Sequence, residues 1–162
     1  MILPTSMEGK PDRLSANRMC DLTGVRAQTR ASWVERGLLR VAKNYGELDV
    51  IEQAVLKELL ARLQKSHVSL AWDETQRHLR GAVVGPDAVL VWDPGARRVH
   101  ITSDDAELRR AVCHGRQVHV LALGELVGEA RRLYRLEVAA RTRAQEAKGG
   151  RGRGTMGRAR GA

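Results

Sequence analysis

The sequence predicts an α+β protein in two folded parts, with a mainly helical stretch over residues 14–65 and a small α+β domain over 66–147. A flexible leader at 1–13 and a disordered Arg/Gly-rich tail at 148–162 flank them. Three observations carry this reading. Two short amphipathic segments are closed by Gly24 and Gly37 and followed by a longer run with three- and four-residue apolar spacing. After Lys65 the pattern changes to strand-like runs interleaved with helical ones. From Lys148 the chain reads KGGRGRGTMGRARGA, which holds too little apolar surface to fold.

In order, Pro4, Gly9 and Pro11 mark the leader. Ser15 is placed to cap a helix over about 16–22, and Thr23-Gly24 ends it, because glycine tolerates the left-handed backbone of a sharp exit. A second helix is expected from Ala27 to Arg36, ending at Gly37. Leu38, Leu39 and Val41 read as a short strand, and Lys43-Asn44-Tyr45-Gly46 as a turn. A third helix covers 47–64, with Val50, Ile51, Ala54, Val55, Leu59 and Leu63 on its apolar stripe.

In the second part, HVSLAW (67–72) is a candidate strand, as are 88–92 and 97–102, which Asp93-Pro94-Gly95 joins into a hairpin. Ser103 or Asp104 caps a helix ending near Cys113 and Gly115. A strand over 117–123 and a long helix over 124–147 follow. In that helix Leu126, Leu133 and Ala140 recur at seven-residue steps. They fit either a dimer seam, which Glu137 interrupts, or a stripe packed on the small sheet.

The chain has 162 residues and a net charge of +9. Residues 1–65 hold 11 basic and 8 acidic groups, 66–140 hold 10 of each, and 141–162 hold 7 and 1. Basic ends around a neutral middle point to a polyanion, with nucleic acid favoured over a membrane surface because the tail has no apolar face. The two cysteines, Cys20 and Cys113, sit in apolar contexts, as buried reduced thiols of a cytosolic protein do. MILPTSMEGKPDRL lacks the charge and apolar run of a signal peptide, and no apolar stretch approaches membrane-spanning length. A cytoplasmic, nucleoid-associated location is therefore expected.

Two short helices bent at a glycine, the second rich in polar side chains, meet the needs of a helix-turn-helix, in which the second helix offers its leading turn to base edges in the major groove. Arginine pairs with guanine, glutamine with adenine, and threonine reaches a thymine methyl or a phosphate. Arg26, Gln28, Thr29 and Arg30 occupy that turn, with Val25 and Trp33 on the inner side.

TGVRAQTRASWVERGLL (23–39), followed by YGELDVIEQAVLKELL (45–60), resembles the winged helix-turn-helix DNA-binding domain of the MerR superfamily over about residues 13–64. The resemblance implies that Arg26, Gln28, Thr29 and Arg30 face the major groove. It also implies that Arg40, Lys43 and Asn44 form a wing touching phosphate or minor groove, and that Tyr45 anchors the wing. Its implied function is sequence-specific binding of double-stranded DNA by a homodimeric bacterial or phage transcriptional regulator, or alternatively by an excisionase-like or plasmid-maintenance factor. The tail resembles an RGG-type segment, whose Arg151, Arg153, Arg158 and Arg160 would bind nucleic acid without sequence preference.

A second class remains open. Asp73, Asp93, Asp104 and Asp105 each follow a candidate strand, and ITSDDAELRRAV resembles the late part of PIN-like nucleases, which would place Asp104 or Asp105 with Asp73 around Mg²⁺. Asp93 is equally explained as a hairpin residue and Asp104 as a helix cap. The histidines show no zinc spacing and no Gly-rich phosphate loop is present, so the expectation is a non-enzyme without cofactor or metal.

Overall fold

The computed structural model of the chain describes residues 10–81, 83–112 and 117–151. Helix α1 runs Ala16–Thr23. Ser15 Oγ accepts the Arg18 amide at 3.2 Å, and Gly24 exits at φ 64°. Helix α2 is Ala27–Glu35, and beyond it Gly37 sits at φ 73° while the Leu38 amide returns to the Trp33 carbonyl at 2.9 Å. These glycines stand where a side chain would be strained, so both helix ends are written into the sequence. Helix α3 is Glu47–Arg62, opened by Asp49 Oδ2 accepting the Gly46 amide at 2.8 Å.

The first departure from the sequence reading comes between α2 and α3. Leu38, Leu39 and Val41 form no strand; the pairing in this region is a single bridge between Leu14 and Tyr45. Leu38 and Leu39 are both buried, which a one-faced strand does not allow, and the Leu38 carbonyl accepts the Trp72 indole N–H at 2.6 Å.

A larger correction concerns HVSLAW. It lies in helix α4, Lys65–Gly81, whose buried positions Val68, Ala71, Trp72, Thr75 and Leu79 keep helical spacing. Within six residues the apolar pattern of HVSLAW fits either period, and the continuation through Thr75 and Leu79 decides it.

Strand β1, Val89–Asp93, is the centre of a three-stranded antiparallel sheet of order β2-β1-β3, with β2 at Arg98–Thr102 and β3 shortened to His119–Leu121. The hairpin register pairs Val91 with His100 and Asp93 with Arg98. Helix α5 is Asp105–Val112, and α6 is Leu123–Arg151. Residues 148–151, expected in a disordered tail, therefore continue the helix. Arg153, Arg158 and Arg160 lie outside the described residues, as does Cys113.

A boundary near residue 65 does not survive in the packing. One apolar cluster contains Leu14, Met19, Trp33 and Val55 of the first part together with Trp72, Trp92, Leu123 and Val127 of the second. Helix α6 lies against α3, α1 and β1, with Leu123, Val127 and Ala130 buried and Tyr134 half-buried. Its stripe thus packs mainly on helices of the same chain, and Ala140 of the seven-residue pattern is exposed. Glu137, read as interrupting a seam, pairs with Arg18 of α1 at 2.7 Å. Residues 10–13, assigned to the mobile leader, are held by α6: Tyr134 Oη donates to the Asp12 carbonyl and Arg141 to that of Arg13, each at 2.5 Å. Between α3 and α4, fully buried Glu52 accepts Arg80 Nε at 2.6 Å and Gln76 Nε2 at 3.1 Å.

Two glycines of α6 differ in kind. A Cβ on Gly124 would lie 2.2 Å from the Pro86 carbonyl oxygen, whereas one on Gly128 meets nothing within 4 Å. Gly124→Ala is expected to lower the unfolding free energy by at least about 2 kcal/mol through overpacking. Gly128→Ala is expected to raise it by about 0.5–1 kcal/mol through helix propensity. Urea unfolding of the two variants reads opposite signs from one helix.

The Arg18 hydrogen bond and charge hold the Glu137 carboxyl below its usual 4.5. A carboxylate depressed by folding contributes stability above its unfolded value and loses that contribution as pH falls through the folded one. Unfolding midpoints measured from pH 6 downward should therefore fall below about pH 5, with a shallower decline in Glu137→Gln.

Candidate nucleic-acid interface

The geometry of the bend between α1 and α2 is set from beneath. Thr23 Oγ1 donates to the Met19 carbonyl at 3.0 Å and accepts Gln53 Nε2 at 2.7 Å, while Lys57 Nζ donates to the Thr23 carbonyl at 3.1 Å. Gln53 is wholly buried. A buried amide that satisfies a helix-end hydroxyl fixes the turn more firmly than apolar contact does, because breaking the bond leaves two polar groups dry. Val25 and Trp33 anchor the inner face of α2, and the Trp72 hydrogen bond to Leu38 holds the chain just past its end.

The outer face of α2 carries Gln28, Thr29 and Ser32 in solvent, with Arg26 before it and Arg36 after it, also exposed. Ser32 and Arg36 were missed in the sequence reading. Stepping four residues at a time from Gln28 would have found both, because Trp33 already defines the inner side. No acid interrupts residues 26–34 or 38–46. No side chain caps the first turn of α2.

Arg30 is not on this face. It is 8% exposed, its guanidinium lies 4.6 Å from the Tyr45 ring centre, and Nη2 reaches the Arg40 carbonyl at 3.5 Å. Three residues before Trp33, Arg30 shares its inner side, so the expectation that Arg30 reads the major groove is overturned. It acts as a brace between α2 and the loop that follows.

Arg40 is also diverted. Its guanidinium forms a two-pronged pair with Asp49, Nε–Oδ1 at 2.5 Å and Nη2–Oδ2 at 2.6 Å, and that carboxylate pushes the guanidinium up from its ordinary value. The same Asp49 accepts the Gly46 amide at the start of α3. Arg40 thus ties the loop to α3 and is not a free phosphate contact.

The loop itself is anchored by Tyr45. Tyr45 is buried, exchanges two 2.9 Å backbone bonds with Leu14, and its hydroxyl accepts the Ala42 amide at 3.0 Å. Lys43 and Asn44 stand in solvent, and Val41 is 76% exposed at the tip.

Elsewhere, Asp73 lies within α4 and not at a strand end, which removes the premise that joined it to Asp104 or Asp105. Asp104 Oδ1 accepts the Ala106 amide at 2.7 Å as a cap, and Asp93 Oδ1 accepts the Ala96 amide at 3.0 Å within the hairpin turn. Among the described residues no group of three or more His, Cys, Asp or Glu is placed to hold a metal ion. Arg151 belongs to the last turn of α6, not to a free tail. No helix among the described residues is long and apolar enough to cross a membrane.

No family model matches the chain, and no curated protein matches it. The surface left for a partner is an exposed polar helix face, with Glu35 seven residues on from Gln28 at its far end, beside an anchored basic loop.

If Arg30 braces the loop through Tyr45, Arg30→Met should speed hydrogen exchange of the Ala42 amide by about tenfold, the scale of one partly desolvated cation–π contact. Amides at the centre of α3 should exchange at their original rate. A solvent-facing Arg30 would leave Ala42 unchanged.

Proposed function

We propose that the chain is a sequence-specific double-stranded DNA-binding protein of the winged helix-turn-helix type, acting as a bacterial or phage transcriptional regulator in the manner of the MerR superfamily. The observation that carries this reading is the exposed face of α2, with Gln28, Thr29 and Ser32 in one polar row on a nine-residue helix whose opposite side is buried. Such a helix fits a major groove and offers an amide for adenine and hydroxyls for phosphate or thymine methyl. Arg26 and Arg36, at its two ends, are suited to phosphates or to guanine. Lys43 and Asn44 on the Tyr45-anchored loop serve as the wing along the adjacent backbone. A single short helix reads few base pairs, so two copies of the chain on paired half-sites are expected. Transcription control and excision would use the same contacts.

Selection of bound duplexes from a random pool by the full chain tests the proposal, and a shared motif is the expected result. On that motif Gln28→Ala should cost about 1–3 kcal/mol and relax preference at one base pair, while Lys43→Ala should weaken all sequences alike and reduce the salt slope by about one. Equal affinity for every duplex, with no enriched motif, would sink the reading.

A further inference from the structure

On the side of the sheet turned away from the core, α5 packs over β1 yet none of its residues is buried. An open cleft of about 430 Å³ remains between helix and sheet. The hairpin register turns alternate residues of β2, Arg98, His100 and Thr102, towards it, and α5 contributes Glu107 and Arg110. Its floor is apolar, centred on Val91, which is only 2% exposed although its neighbours across β2 are polar.

The charged groups of the cleft differ in how they are engaged. Glu107 accepts the Thr102 hydroxyl at 2.6 Å, and Asp93 accepts the Ala96 amide at 3.0 Å. The guanidiniums of Arg98 and Arg110 and the imidazole of His100 make no hydrogen bond or ion pair with any described residue, although they line the same space. Donors without a partner among the described residues thus gather over an apolar floor, while the acids are already bound by the protein's own donors.

We infer that this cleft binds a small organic anion carrying one carboxylate on an apolar body. The planar fork of a guanidinium matches a carboxylate with two parallel hydrogen bonds. The apolar body would lie on Ala96 and Ala111 above buried Val91, and the volume is in the range of small-ligand sites. Charge selects the valence: Asp93 and Glu107 line the same cleft as Arg98 and Arg110, so a dianion such as phosphate meets more repulsion there than a monoanion does. The site is remote in sequence from α2 and its loop, and this inference does not rest on DNA binding.

Titration of the full chain with benzoate at constant ionic strength, following the His100 imidazole resonance by NMR, tests it. A saturable shift is expected. Arg98→Gln and Arg110→Gln should each weaken it by at least about tenfold, and Arg110→Lys, which keeps the charge but loses the fork, should fall between. Arg77→Gln on α4 should leave it unchanged, and far-UV circular dichroism checks that each variant is folded. Inorganic phosphate at the same ionic strength should bind at least about tenfold more weakly than benzoate. A linear, unsaturable drift, or saturation indifferent to both glutamine substitutions, overturns the site. Phosphate binding as tight as benzoate overturns its assignment to a monoanion.

Discussion

The hydroxyl of Thr23 is the point on which the N-terminal half turns. It closes the last turn of α1 on the Met19 carbonyl and receives the fully buried Gln53 amide of α3, just before the chain reverses at Gly24. Without this hydrogen bond the bend would rest on Gly24, which permits many directions, and on the Lys57 bond to the Thr23 carbonyl. With it, the angle of α2 relative to α3 is set by a polar contact that cannot slide. Trp72 completes the support from α4 by capturing the Leu38 carbonyl beyond the far end of α2. The helix offered to solvent is therefore held at both ends by side chains from the two helices that follow it in sequence.

Charges inside this region do structural work of the same kind. Arg30, Arg40 and Arg80 were available in the sequence as three cations, yet each is committed within the chain: Arg30 to the Tyr45 ring, Arg40 to Asp49, and Arg80 to buried Glu52. Removing one partner of a buried pair leaves a charge stranded away from water, which is costlier than the pair itself is favourable. Asp49 and Glu52 are three residues apart on one face of α3, and they collect arginines from the loop and from α4 respectively. A basic composition therefore overstates the cationic surface, and Arg26, Arg36 and Lys43 are the cations left outward beside the exposed face of α2.

The helix ends of α1 and α2 were legible because their signals are local: Ser15 as a cap, and Gly24 and Gly37 as left-handed exits. The hairpin from β1 to β2 was legible for the same reason, through Asp93-Pro94-Gly95. What failed was decided at a distance. HVSLAW has no preference within six residues strong enough to refuse a strand; its helical period emerges only with Thr75 and Leu79, and Val68 and Trp72 then carry it into the shared core. Leu38 and Leu39 look like a strand until Trp72 claims the carbonyl between them. For the candidate interface, Gln28 and Thr29 could be placed from periodicity. The inward turn of Arg30 could have been suspected from its three-residue spacing to Trp33, but its partner Tyr45 is fifteen residues away and arrives only with the fold.

The return of α6 over the first helices has a consequence for how the protein comes into being. Arg18, Glu47 and the backbone at residues 11–13 find their partners on a helix running from Leu123 to Arg151. During synthesis α1, α2 and α3 leave the ribosome long before that helix exists, and contacts so far apart in sequence form slowly. The N-terminal half must therefore wait, partly unbraced, until α6 has been made, and its final shape is completed by a helix far downstream of it.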